Sequence, residues 1–286
     1  FKSMLRYWFR VFALRFLPAN EVQKWEHNLF GSLKFKSQGW VNFRMKELMN
    51  PRSGEQGKTA PCLRQSGILK ISFSQQAPNE HKTTIENLFK SLTWLMFHLG
   101  GVGQGARRPL YSRQNRPNGK PPWYRGVKLN ADRDDLFQEL PRQPEEFKKV
   151  FESKMQDFYK NLNEITGNTI NLNLTLSNKL SPGKTWNEIV DNNCQLIVCS
   201  GNYNQESGKP HALAVLHDAS LKNKERYDSN ICGESGDRSP IWIADLGDYQ
   251  VVTVFGANEI HRKNFLKLLK QKTEPQKYAE IQLKIQ

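Results

Sequence analysis

The chain has 286 residues, 37% hydrophobic and 11% aromatic, which excludes a disordered tail and allows one large core or two modest ones. Its formal net charge of +14 favours a polyanionic partner, nucleic acid ahead of an anionic membrane or a surface merely kept soluble by lysine. The excess is local: residues 1–130 hold 22 Lys and Arg against 6 Asp and Glu, whereas residues 131–286 hold 20 against 22, so the expected organisation is a basic half suited to nucleic acid (1–130) and a second α+β half (131–286) packing on the same core.

Leu5, Trp8, Phe9, Phe12, Ala13 and Phe16 recur at helical spacing until Pro18 stops the pattern. Arg6 and Arg10 lie one turn apart on another face, either a cationic ridge or two solvated arginines. The chain opens at Phe1 inside this helix, so native sequence upstream is expected. A short helix over 21–29 closes at Phe30-Gly31, residues 40–45 alternate like a strand, and residues 50–66 read as a loop or excursion before a strand over 67–74. Residues 83–99 form the clearest helix: Thr83 with Glu86 matches a capping box, and Ile85, Leu88, Phe89, Leu92, Met96 and Leu99 make one apolar stripe.

The segment that follows, from Gly100 to Lys128, holds no acid. Gly100, Gly101, Gly103 and Gly105 open the backbone, Arg107, Arg108, Arg113, Arg116, Lys120, Arg125 and Lys128 supply cations, and Tyr111, Trp123 and Tyr124 supply rings. Phosphates could approach the glycine amides and be neutralised by Arg107 and Arg108, while exposed rings would stack on unpaired bases. The plainer alternatives are a loose glycine linker and aromatic loop anchors. A Rossmann fingerprint is excluded because the glycines follow a helix rather than a strand, and no Walker loop occurs.

Further on, residues 132–140 are acidic and a helix begins near Pro144 with Phe147, Phe151, Phe158, Leu162 and Ile165 inward. Strands are expected over 170–176, 195–200, 211–216, 240–244 and 250–255, and a last helix over 258–270. This mixed order with short connections predicts an α+β fold with antiparallel sheets of the βαββαβ kind. The six histidines assemble no hydrolytic site, and Cys62, Cys194, Cys199 and Cys232 have neither a CxxC nor a secreted-scaffold density, which suits a reducing cytoplasm and argues against zinc. His217-Asp218 is a lone dipeptide, and Asp245 and Asp248 read as a turn. No stretch approaches the roughly 18 apolar residues of a membrane span, four cations within residues 1–17 argue against a signal peptide, and no cofactor is expected.

Three stretches together resemble the RAMP superfamily, the backbone subunits of type III CRISPR effectors. Residues Ser3-Met4-Leu5-Arg6-Tyr7-Trp8-Phe9-Arg10 with Leu29-Phe30-Gly31-Ser32 are similar to its first-helix signature, and Leu99-Gly100-Gly101-Val102-Gly103 with Ala106-Arg107-Arg108 to its glycine-rich loop. Arg238-Ser239-Pro240-Ile241-Trp242 and Gln250-Val251-Val252-Thr253-Val254-Phe255 resemble the closing strands of the first RAMP subunit of Cmr-type complexes, a type III-D variant being the alternative. The resemblance implies a ferredoxin-like, RRM-related core with insertions, possibly duplicated. It implies backbone binding of CRISPR RNA and target RNA, in antiviral defence, beside other RAMP subunits and the large polymerase-like subunit. It assigns Lys2, Arg6 and Arg10 as guide-facing cations and Gly100, Gly101, Gly103, Arg107 and Arg108 as the phosphate-holding loop. Catalytic relatives carry a target-cleaving aspartate just before the first helix. No acid precedes Glu21 here, so a metal-dependent endoribonuclease would need an aspartate upstream of Phe1.

Overall fold

Helix α1 (Lys2–Ala13) buries Leu5, Trp8, Phe9, Phe12 and Ala13, the stripe that its spacing predicts. Pro18, with its φ of −65°, precedes α2 (Ala19–Phe30), which buries Val22, Trp25, Leu29 and Phe30. The computed structural model describes residues 1–33, 36–46, 52–53, 63–64, 68–101, 107–109, 141, 143–167, 188–204, 208–234 and 237–281. The expected strand over 170–176 and the acidic run 132–140 lie outside them.

Gly31 ends α2 at a φ of +78°, where a Cβ would stand 2.6 Å from the Gly39 nitrogen, so only glycine admits this crossing of backbones. The hairpin of β1 (Gly31–Ser32) and β2 (Ser37–Gln38) then delivers the chain to β3 (Val41–Lys46). Strand β3 pairs antiparallel with β6 (Ile68–Phe73), and the two-residue strands β4 (Arg52–Ser53) and β5 (Leu63–Arg64) pair across the excursion between them. Helix α3 (Lys82–Leu99) packs on α4 (Pro144–Thr166), which buries the five residues that the periodicity named and also Met155 and Tyr159. The expected Thr83–Glu86 capping box does not form. A 3-10 turn over Asn79–His81 leads into α3, His81 is the N-cap, and Glu86 instead pairs with Lys90 one turn on, at 2.7 Å.

The remaining elements run β7 (Gln195–Ser200), α5 (His211–Leu216), α6 (Ser229–Cys232), the hairpin β8 (Gly233–Glu234) and β9 (Asp237–Arg238), β10 (Ile241–Asp245), β11 (Tyr249–Val254), α7 (Ile260–Lys272) and β12 (Ala279–Ile281). The strand expected over 211–216 is therefore helix α5. Its burial repeats at three and four residues rather than alternating, with Ala212, Leu213, Val215 and Leu216 inward and His211 and Ala214 half-exposed. The buried Gln250 side chain accepts a hydrogen bond from the Ala212 amide at 2.9 Å, satisfying one of the donors that a helix start leaves open.

With that correction the elements β7-α5-β10-β11-α7-β12 follow the order βαββαβ, with α6 and the hairpin β8–β9 inserted after α5. The sheet order is β10-β11-β7-β12 with every neighbour antiparallel, which is the ferredoxin-like plan. Both faces of the sheet are covered. Leu196, Val198, Trp242, Ala244, Tyr249 and Val251 join the larger core with α1–α4, while Ile197, Cys199, Ile241, Ile243, Val252 and Val254 join a smaller one with α5–α7. Double burial is why these strands read as nearly unbroken apolar runs.

Candidate nucleic-acid interface

Arg6 and Arg10 meet on one carboxylate. Arg6 Nε donates to Glu26 Oε1 at 2.8 Å, Arg10 Nη2 donates to the same oxygen at 2.6 Å, and Arg10 Nε donates to Oε2. The Glu26 side chain is almost wholly buried beneath two partly exposed guanidiniums. Burial pushes the Glu26 carboxyl up, but the hydrogen bonds and charges of Arg10 and Arg6 outweigh it and hold the group below its ordinary range. The trio carries a net +1 and is positioned by α1 packing on α2. Lys2 is exposed at the start of α1, its Nζ 6.0 Å from the Phe43 ring of β3. Partial burial, and then the charge of Arg6, lower its pKa.

The start of the glycine run faces inward. Gly100 and Gly101 are buried, and a Cβ on Gly100 would stand 2.6 Å from Trp242 Cε3 and 3.1 Å from Trp8 Cζ2. Indole rings line the room that Gly100 leaves. Arg107 is drawn into the same packing: Nη2 pairs with Glu188 at 2.5 Å, Nη1 donates to the Ser239 carbonyl at 2.5 Å, and its Cζ lies 4.4 Å from the Trp242 ring centroid. Its own carbonyl accepts from the Ile243 amide at 3.0 Å, attaching this segment to β10. Tyr7 lies beneath, its phenol pushed well above its usual range by burial and then by the Glu188 charge. Arg108 is half-buried near Cys232, whose thiol burial raises to about 11 against the opposing Arg108 charge. Gly103, Gly105, Tyr111, Arg113, Arg116, Trp123 and Arg125 lie outside the described residues.

A further set of cations stands on the ribbon of β3 and β6. Val41, Phe43 and Met45 face one way, opposite Phe73, Ile71 and Leu69, and the other face carries Asn42, Arg44 and Lys46 opposite Ser72, Lys70 and Ile68. Arg44 and Lys70 are direct cross-strand partners, both exposed, and among the described residues neither they nor Lys46 has an ion pair. Like charges placed opposite one another repel, so this face is one on which an added polyanion lowers the energy. Lys2 and Arg6 flank the inward side of the same ribbon, through Phe43 and through Phe30, which stacks on Phe43 at 5.9 Å. The alternation Asn-Phe-Arg-Met-Lys was visible in the sequence, but the register that sets Arg44 against Lys70 was not.

Among the described residues no three His, Cys, Asp or Glu side chains gather as metal ligands, and Cys194, Cys199 and Cys232 are free and buried. Among the same residues no helix is long and apolar enough to cross a membrane.

The elements thus define an α+β protein with antiparallel sheets and a ferredoxin-like unit, the class expected of the RAMP fold. No family model matches the sequence, and no curated protein matches it. Among solved structures, the fold is similar to that of Cmr1 from Pyrococcus furiosus in its apo form, with a TM-score of 0.55 at 15% sequence identity. The similarity covers 98% of this chain and 89% of that one, and it is a likeness of fold.

Proposed function

We propose that this chain is a backbone subunit of a type III CRISPR ribonucleoprotein, binding CRISPR RNA and target RNA through charge and shape rather than sequence. The observation that carries the reading is the fold likeness to Cmr1 along nearly the whole chain. The charge of residues 1–130 and the facing pair Arg44 and Lys70 support it, because a phosphate backbone is the partner that such a surface neutralises. In this reading Lys2, the Arg6–Arg10 pair and the outer face of the ribbon are the described RNA-contacting cations, and the cations of residues 113–128 serve the same function. Other RAMP subunits and the large polymerase-like subunit are its protein neighbours.

Filter binding of the full chain to CRISPR RNA over a salt series tests the proposal. Log affinity should fall steeply with log salt, a scrambled RNA should bind equally well, and Arg44→Ala with Lys70→Ala should flatten the slope by about 1.4, roughly 0.7 for each cation lost on a single strand. A flat response in the unsubstituted protein, or an unchanged slope in the double variant, overturns it.

A further inference from the structure

Residues 218–228, in the second half of the chain, are pinned alongside α7 at both ends. Asp218 pairs with Lys272 near the helix end at 2.5 Å, and Asp228 pairs with His261 Nδ1 near its start at 2.5 Å. Between the pins the chain reverses in a tight turn: the Asn223 amide donates to the Arg226 carbonyl at 2.9 Å and the Arg226 amide returns to Asn223 at 3.0 Å. The two central residues, Lys224 and Glu225, both have positive φ, +45° and +68°. Turns of this hand ordinarily take Asn-Gly or Gly-Gly, and side chains held in that region collect at functional sites. Lys222, Lys224 and Arg226 are all exposed in this turn, which leads directly into Tyr227, and among the described residues none of the three cations has an ion pair.

Tyr227 is 48% exposed, although tyrosine usually gains from burying its ring. His217 backs it at 4.5 Å between centroids, and Lys222 Nζ stands 5.6 Å from its centre. An aromatic ring supported from behind, with Lys222 beside it and two further cations exposed in the same turn against the one carboxylate of Glu225, has the makings of a stacking site for an unpaired base, whose phosphates the cations then meet. An acidic protein surface would use the cations but leave the ring idle.

We infer that Tyr227, with Lys222, Lys224 and Arg226, forms a second RNA-contacting surface, one that stacks a single-stranded nucleotide. It rests on the RNA-binding reading for the choice of polyanion, but it lies outside the residues on which that reading depends. Fluorescence anisotropy of the full chain with fluorescein-labelled oligouridine and with labelled heparin, a polyanion without bases, separates the two. Tyr227→Ala should weaken oligouridine binding roughly 5- to 150-fold, the worth of one stacked base, and leave heparin binding unchanged. Tyr227→Phe, which keeps the ring, should restore it. The triple change of Lys222, Lys224 and Arg226 to Ala should weaken both. Unchanged oligouridine affinity in Tyr227→Ala, or an equal loss for heparin, overturns the stacking site while the function stands. Failure of the unsubstituted protein to bind RNA removes both.

Discussion

At Gly100 the backbone passes against two buried indoles, and the absence of a side chain is what lets α3 end beside Trp242 and Trp8. Neither ring is the free end of a flexible chain, so a methyl group there must push the packing that also holds Arg107 and Tyr7. Gly100→Ala should therefore destabilise the protein by about 1–3 kcal/mol in chemical denaturation, the usual cost of overpacking. A change below about 0.5 kcal/mol would mean that the rings yield freely. The sequence marked this glycine as a point of close approach; what approaches it comes from residue 242, far away in the chain. The same distance hid the buried Glu26, which takes up the Arg6 and Arg10 pair from another helix. Isolated cations are legible in a sequence, but their counter-charges often lie on elements whose packing is not.

Long elements declared themselves and short ones did not. Helices α3 and α4, of 18 and 23 residues, show several turns of apolar repeat, and β10 and β11 are largely apolar, broken only by Asp245, Gln250 and Thr253. Helix α5 has six residues, fewer than two turns, and its apolar content alone suits either period. Its identity is settled by Gln250, a wholly buried side chain on β11 that accepts the Ala212 amide. Gln250→Leu would leave that amide buried without an acceptor, at a cost of about 1–3 kcal/mol. Hydrogen exchange should then quicken at residues 211–216 before the rest of the sheet, and unchanged protection of α5 would show that the side-chain cap contributes nothing.

Among the described residues, one four-stranded sheet with a core on each side organises the molecule. The βαββαβ kind was read correctly, although α5 was expected as a strand and the three-residue β12 was not anticipated; the strand order was not legible, since it depends on which strands exchange hydrogen bonds. Adjacent residues of β11 belong to different cores, Val251 to the larger and Val252 to the smaller. If the sheet joins the two into one cooperative unit, removing methyl groups on either side must weaken the same transition. Val251→Ala and Val252→Ala should each cost about 2 kcal/mol, from lost burial and the small cavity left behind. Calorimetry of each variant should show the unsubstituted protein's main transition moved down by a similar amount. A second transition split off in only one variant would mean that α5–α7 unfold apart from the large core. The sheet's shared residues make that the less stable arrangement, because losing either layer exposes the wholly buried face of the strands that remain.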